Sequence, residues 1–424
     1  MIDGSHRTPR VLDGVRVVDF GRVLAGPHCA YLLCVMGAEV IKVERPFVGD
    51  DSRADPFIYE PELSGCFMQT NWGKRSISID LQHPEAKSII CDLVSQSDVV
   101  VENFRPGVMA RLGFGYEELA KVNPRIIMCS VSAYGQTGPY SQRVGYGPIA
   151  EAVAAIPEVT GERDGPPMPT QYAIADNLAA ALGATSICAA LYWRDRSGQG
   201  QHIDMSLLDA AFQGQDQAFE TYLGSEGRMK MTRRGLRDVT YVPWGFFKGN
   251  DGWVLIMCGN ESMWAPLARA MDREDLVKDP LFDNFQHRYE NRDTVYRLLE
   301  EWVLTFKSVD EVVSRLSEVG IPCDRVNDVA QALEHPQVKA RDLIIERDHP
   351  TLGKMRIVNS GLRFSHTASD PTGYPPSLGE HNREILVDLL GRTHAEVDRL
   401  TEDGVLYEEP RVRAREQAGR QNPP

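Results

Sequence analysis

The chain has 424 residues, with 46 Lys and Arg against 60 Asp and Glu, for a formal net charge of −14. Its 42% hydrophobic and 25% charged residues are ordinary globular usage, which excludes wholesale disorder and fibrous repeats, while the length suggests two or three domains or one with an insertion. A surface this acidic repels phosphate backbones and argues against nucleic acid, yet a few local arginines can still hold a phosphorylated small molecule.

The N-terminal MIDGSHRTPR has no apolar core and does not read as a secretory signal. The longest apolar run, Leu178–Trp193, is broken by Thr185 and Ser186. It falls short of the ~18–20 residues of a bilayer crossing, so no membrane is expected. Eight cysteines without a CxxC pair fit reduced, buried thiols in a cytoplasmic protein.

In chain order, strand-like and helix-like runs alternate. Val15–Phe20 reads as a strand, Pro27–Met36 as a helix and Glu39–Glu44 as a strand, which makes one βαβ unit. Ser76–Leu81 is a strand, Pro84–Ser95 an amphipathic helix and Asp98–Val101 a strand. Short helices at Val108–Leu112 and Tyr116–Val122 lead to a strand at Arg125–Ser132. This is the pattern of a mainly parallel sheet covered on both faces, where ligands bind beyond the carboxyl ends of the strands. The loops there read GRVLAGP, ERPFVGDDSR, ENFRPG and SAYGQTG. An almost wholly apolar helix from Asn177 to about Tyr192 should be buried, and HIDMSLLDAAF reads as a strand and a helix start.

The pattern then changes. Residues 1–222 form the first part of a large domain, 223–240 read as a charged linker, and 241–330 form a smaller mixed domain that opens with a hairpin. Residues 331–407 return to hairpin and helix signals, and 408–424 read as a mobile tail.

Five segments in this order, VLDGVRVVDFGRVLAGP, GAEVIKVERP, NWGKRSISIDL, DVVVENFRPG and NPRIIMCSVSAYGQTGP, with the later SGQGQHIDMSLLDAA, resemble class III coenzyme A transferases. That family includes formyl-CoA transferase and carnitine CoA-transferase, with alpha-methylacyl-CoA racemase as a relative. The resemblance covers roughly residues 11–390. It implies an α/β fold with a Rossmann-like parallel sheet in a large domain built from both chain ends, a smaller α+β middle domain, and an interlocked homodimer.

It also implies site residues. Asp176, in TQYAIADNLAAALG, matches the catalytic aspartate; by residue type alone it reads as a helix N-cap. The two roles are compatible, because a helix start favours the ionised, nucleophilic carboxylate. Asn103 and Phe104 match a pair that contacts coenzyme A, Arg111 an arginine at the coenzyme, and Arg45 one near the nucleotide. Ile79 matches an apolar residue beside the adenine, although a plain strand-core role suits it better. Val23, Leu24 and Ala25 match the loop along the pantetheine arm, and Tyr134 a tyrosine near the coenzyme. Lys74 and Arg75 add to a local cationic site. Leu24 stands where formyl-CoA transferase has glutamine, which removes a polar contact to a small acid such as oxalate. In the glycine-rich loop of the middle domain only Gly259 of Cys258–Ser262 is preserved.

Rival readings fail on particular residues. Gly145–Ala150 (GYGPIA) fits GxGxxG/A by letter but follows no clear strand, which opposes a nicotinamide oxidoreductase. Racemases place an acid/base histidine where Tyr146 stands, and tyrosine, with an ordinary pKa of ~10, is a poor substitute. The histidines show no HExxH spacing and no GxSxG is present, so neither a metal site nor a serine hydrolase is expected. A non-catalytic CoA-binding protein would keep the arginines without needing Asp176. The expectation is an acyl-CoA:carboxylate CoA-transferase working through an aspartyl-CoA thioester, with the CoA thioester as substrate and no permanently bound cofactor. Leu24 and the MTRRGLR segment, with Arg233, Arg234 and Arg237, point to an acid larger than oxalate, with dicarboxylates among the candidates.

Overall fold

A computed structural model of the chain describes residues 8–60, 63–238, 241–410 and 412. The chain folds as two compact units. One runs to Ala154, resumes over Gln171–Asp216 and continues from Arg341; the other comprises Ala155–Thr170 and Gln217–Ala340.

The first unit is built on a six-stranded sheet. Its strands are β1 (Arg16–Asp19), β2 (Glu39–Glu44), β3 (Arg75–Ser78), β4 (Val99–Glu102), β5 (Ile127–Ser132) and β6 (Gln201–Ser206). All pairings are parallel, in the order β3-β2-β1-β4-β5-β6. This is the doubly wound order, whose direction of growth reverses between β1 and β4. The VV core of β1 and the VVV of β4 suit it, because a parallel strand covered on both faces is mostly apolar; EVIKVE is equally buried but carries Lys42 and Glu44 inward.

Eight helices accompany these strands: α1 (Ala25–Val35), α2 (Gly65–Asn71), α3 (Pro84–Ser95), α4 (Val108–Arg111), α5 (Tyr116–Val122), α6 (Gly147–Val153), α7 (Ile174–Ser197) and α8 (Leu207–Gly214). α3 follows sequence rules closely: Pro84 opens it, the His83 ring accepts the Glu85 amide, and Ala86, Ile89, Ile90, Leu93 and Val94 face the core. α7 is longer than its apolar run suggested, with 24 residues. It is long and apolar enough to cross a membrane by length and composition, but it packs on α1, α8, β5 and β6. Gly183 permits the close approach, since a Cβ there would lie 3.1 Å from Cys29 Sγ and 3.6 Å from Cys129 Sγ. All eight cysteines are free thiols.

The C-terminal segment completes this unit. Ile385, Leu386, Val397, Leu400, Val405 and Leu406 enter the core beneath β3. The Tyr407 amide donates to Ser78 O, and the Ser78 amide to Asn382 Oδ1. The expected mobile tail is tied at its start, where the Glu409 amide donates to Leu378 O; 411 and 413–424 lie outside the described residues.

In the second unit, β7 (Trp244–Lys248) and β8 (Trp253–Met257) form the expected hairpin, extended by β9 (Cys323–Arg325). Helices at Trp264–Ala270, Arg292–Val303 and Val309–Ser317 cover it. Its boundaries differ from those read in the sequence. The charged stretch expected as a linker belongs to this unit: Arg237 bridges Gly245, and Arg234 pairs with Asp238 at 2.5 Å. Residues 155–170 join it through Gly235 N–H to Gly161 O and Arg233 to Glu158. Segments so dominated by charge read as solvated loops until their partners are known.

One buried network of charges shapes the carboxyl edge of the sheet. Lys74 Nζ, fully buried, donates to Asp19 Oδ2 at 2.7 Å, to Pro27 O and to Asn71 Oδ1. Lys42 Nζ pairs with Asp50 Oδ2 at 2.8 Å and donates to Gly21 O. Arg53 pairs with Glu44 at 2.7 Å. Lys74, which the sequence suggested for a cationic ligand site, is therefore structural; Arg75 is paired with Glu39 and Glu384. Replacing Lys74 by Met takes from the buried Asp19 its nearest cation and leaves only Lys42, 4.0 Å away, at a cost of about 3–5 kcal/mol. Urea denaturation is expected to show that loss for Lys74→Met and recovery of much of it in Lys74→Met with Asp19→Asn.

Candidate active site

The cavity of the first unit lies beyond β1, β4 and β5, beside the switch in strand order. It has a volume of about 550 Å³ and is lined by Arg22–Ala25, Asp51, Asn103–Pro106, Val108, Arg111, Val131–Ala133, Ser141, Arg143–Tyr146, Asp176 and Leu207.

The loop after β1 is held from two sides. Asn103 clasps the backbone of Arg22, accepting its amide at 2.7 Å and donating to its carbonyl at 2.8 Å. Asp50 Oδ1 accepts the Val23 amide at 2.9 Å. Val23 adopts φ +63°, a strained backbone for a β-branched residue that these contacts must hold. Against the pull of burial, Lys42 and the amides of Val23 and Ser52 keep Asp50 well below the usual carboxylate range. Phe104 is fixed by its amide donating to Glu102 at 2.7 Å; burial raises Glu102 itself to about 7.

Asp176 is the third residue of α7, not its N-cap. The cap position is Ala173, which offers no side-chain bond. The Gly147 amide, at the start of α6, donates to the Asp176 carboxylate. A Cβ on Gly147 would fall 1.9 Å from Asp176 Oδ2, so a side chain there would have to displace the carboxylate. Burial and the nearby Glu151 carboxylate raise Asp176 to about 6, against amide hydrogen bonds that lower it. The helix start does not set its charge as the sequence suggested, but the group is still mostly ionised at pH 7. Next to it, Asn177 Oδ1 meets His28 Nδ1 at 2.9 Å, and burial lowers His28 below its ordinary value.

Most of the residues expected here do meet. Val23, Leu24, Ala25, Asn103, Phe104, Arg111 and Asp176 share the one cavity. Three do not line it. Arg45 is held by Asp51 and by Gly49 O, one ion pair behind the wall. Ile79 is fully buried in the sheet core, as its strand pattern suggests. Tyr134 stands behind the 143–146 loop, its ring 5.9 Å from that of Tyr140. Arg233, Arg234 and Arg237 are paired with Glu158, Asp238 and Glu300 inside the second unit, and Cys258–Ser262 also lies there.

Sequence reading passed over four cavity groups. Arg22 pairs with Asp51 while its Nε is buried with no hydrogen-bond partner among the described residues. Arg143 packs its guanidinium over the Tyr140 ring, 3.7 Å from the centroid. Ser132 ends β5 with a buried hydroxyl, likewise unpartnered among the described residues. Arg22, Asp51 and Ser132 stand within the strand-end loop motifs, so their signal was present; Arg143 carried none beyond position.

A doubly wound sheet with a partly buried carboxylate and several guanidinium groups in one cavity at its switch point defines an α/β protein with a site for an anionic ligand, and comparison places it further. Residues 12–382 match CoA-transferase family III, and the chain belongs to that family. It is a CoA-transferase, an enzyme that moves coenzyme A between acyl-CoA and carboxylate partners. It is 36% identical over 410 residues to a succinyl-CoA–D-citramalate CoA-transferase of Chloroflexus aurantiacus, covering 95% of this chain and 100% of the relative. It is 34% identical over 401 residues to a succinyl-CoA:glutarate CoA-transferase of Mus musculus, covering 93% and 90%. Among solved structures, a CaiB/BaiF family protein from Brucella suis aligns with a TM-score of 0.80 at 34% identity, covering 90% of this chain and 100% of that one.

Asp176 holds its proton more tightly in the folded chain, about 6 against an ordinary 3.8. Its folded form is therefore favoured below about pH 4, and that advantage is lost as pH rises through 6. The gap is worth at most about 3 kcal/mol. Asp176→Asn is thus expected to be more stable than the native chain in urea at pH 7.5, with the gain fading to nothing near pH 4. Equal stability at pH 7.5 would contradict this account of the site.

Proposed function

We propose that the chain transfers coenzyme A from succinyl-CoA, or a similar acyl-CoA, to a dicarboxylic acid through a covalent aspartyl-CoA thioester on Asp176. One observation carries this: in a family III chain, Asp176 faces the cavity, partly desolvated, yet still largely anionic at pH 7. A carboxylate stripped of water is a stronger nucleophile than a solvated one.

The Asp176 carboxylate attacks the thioester carbonyl. The C–S bond breaks, CoA leaves as thiolate and a mixed anhydride forms. The thiolate then attacks the aspartyl carbonyl, which releases the donor acid as carboxylate and leaves aspartyl-CoA. The acceptor carboxylate attacks that thioester and forms a second anhydride. The freed thiolate takes its acyl group and returns Asp176 as carboxylate. The sulfur bond is remade at the end, so the thioester bond energy is preserved. The Ser132 hydroxyl in the cavity wall, unpartnered among the described residues, is available as a donor to a carbonyl oxygen.

Two features support a dicarboxylate. The relatives named for D-citramalate, glutarate, L-malate and mesaconate all pair these diacids with succinyl-CoA. The cavity also carries guanidinium groups on Arg22 and Arg143, whose forked donors suit a second carboxylate. These replace the arginines of 233–237 in that role. Leu24 in the wall opposes a small polar acid such as oxalate.

Succinyl-CoA followed by hydroxylamine or borohydride is expected to modify the peptide carrying Asp176, while Asp176→Ala and Asp176→Asn both lose transfer. In a panel of succinyl-, formyl- and branched acyl-CoA donors against mono- and dicarboxylates, diacids are expected to lead. Turnover without Asp176 modification rejects the covalent route, and preferred formate–oxalate exchange rejects the substrate class.

We also propose a homodimer, in keeping with the family resemblance. α7 leaves Ala181, Thr185, Ala189, Tyr192 and Trp193 exposed along one side, the two aromatics by 61% and 55%, a face suited to a second subunit. Sedimentation at low micromolar concentration is expected to show a dimer, and a monomer alone would reject it.

A further inference from the structure

The first turn of α7 carries the nucleophile but has no cap of its own, because Ala173 offers no side-chain acceptor. Its free amides must be satisfied from elsewhere. Glu151 does this from α6: its Oε1 accepts the amide of Ala175, the residue before Asp176, at 3.2 Å. The Glu151 side chain is almost wholly buried, with the residue 3% exposed. Gly147 and Glu151 lie four residues apart and so share one face of α6. Gly147 gives its amide to the Asp176 carboxylate, and Glu151 takes the amide next to it.

We infer that Glu151 is a positioning residue for the Asp176 nucleophile: it seats the first turn of α7 and, as a second buried carboxylate, raises the reactivity of the first. This rests on Asp176 being the nucleophile. Two carboxylates near each other resist joint ionisation, and one of them gains proton affinity. Gained proton affinity in an anion that must attack a carbonyl is gained nucleophilicity. The other ionisable groups around the site are Tyr146 at the start of α6, His28 on α1, and Arg22, Arg105, Arg111 and Arg143 in the cavity wall, with Asp51 there paired to Arg22 and Arg45. β5 and α8 present the neutral Ser132 and Leu207. The repulsion comes from Glu151, the one charged neighbour that acts on Asp176 in this way.

Position and charge separate by substitution. Glu151→Gln keeps an oxygen to accept the Ala175 amide and removes the charge. It is expected to move the acid limb of the kcat/KM pH profile down by about one pH unit. It should also lower kcat at pH 8 roughly threefold or more, with KM for acyl-CoA unchanged. Glu151→Asp keeps the charge on a shorter arm, so the acid limb should stay while kcat falls. An acid limb that does not move in Glu151→Gln overturns the inference. Should the Gln variant not fold, carbon-13 titration of the carboxyl groups gives the same answer. In Glu151→Met, which removes the charge by another route, the Asp176 carboxyl must titrate lower than in the native chain; an unmoved Asp176 midpoint overturns the proposal. Hydroxylamine trapping on the native enzyme keeps the two claims apart: its failure removes the nucleophile, whereas success with an unmoved acid limb removes only Glu151.

Discussion

The structure depends on a small set of charges with no access to water. Asp19 and Lys42 lie on adjacent strands, and Lys74 and Asp50 reach in from neighbouring loops. An ion in such a place is tolerable only when its partners are complete. The partners are the cavity loops themselves: Pro27 O, Gly21 O, and the amides of Gly21, Val23 and Ser52. The network therefore does more than hold the fold together. It holds the path of two glycine-bearing loops, and so places Arg22, Leu24 and Asp51 around the cavity.

A different balance rules the other wall. A helix N-terminus favours an anion by about 0.3–1 kcal/mol. Burial and a second carboxylate oppose it with an effect of about 3 kcal/mol, judged from where Asp176 titrates. Burial and repulsion therefore win, and the aspartate sits near the acid edge of the physiological range. The cavity thus keeps a carboxylate that is costly to ionise, as sites that must react rather than merely hold tend to do.

The parallel sheet was legible because its strands are apolar runs separated by helical ones, and residues such as Glu39–Glu44, Pro84–Ser95 and Tyr116–Val122 gave the element bounds unaided. The cavity loops were legible as glycine- and proline-rich strand ends. Three things were hidden. Charged stretches such as 223–238 read as solvent-facing until Glu158 and Glu300 are seen opposite Arg233 and Arg237, since ion pairing across distant sequence leaves no periodic trace. Lys74 likewise read as a ligand-binding cation because sequence gives a charge its sign and not its depth. Glu151 left no mark, for its meaning arises only when α6 meets the start of α7.

The absence of a side chain at residue 147 has an evolutionary consequence. Any side chain there would drive an atom into the Asp176 carboxylate. That position is closed to innovation while Asp176 keeps its place, and a new acid or base for another reaction on CoA esters has to arise elsewhere. Tyr146, exposed in the cavity wall beside it, is open to change. Of the two adjacent wall residues, a change at 146 leaves the Asp176 carboxylate where it is, whereas one at 147 displaces it.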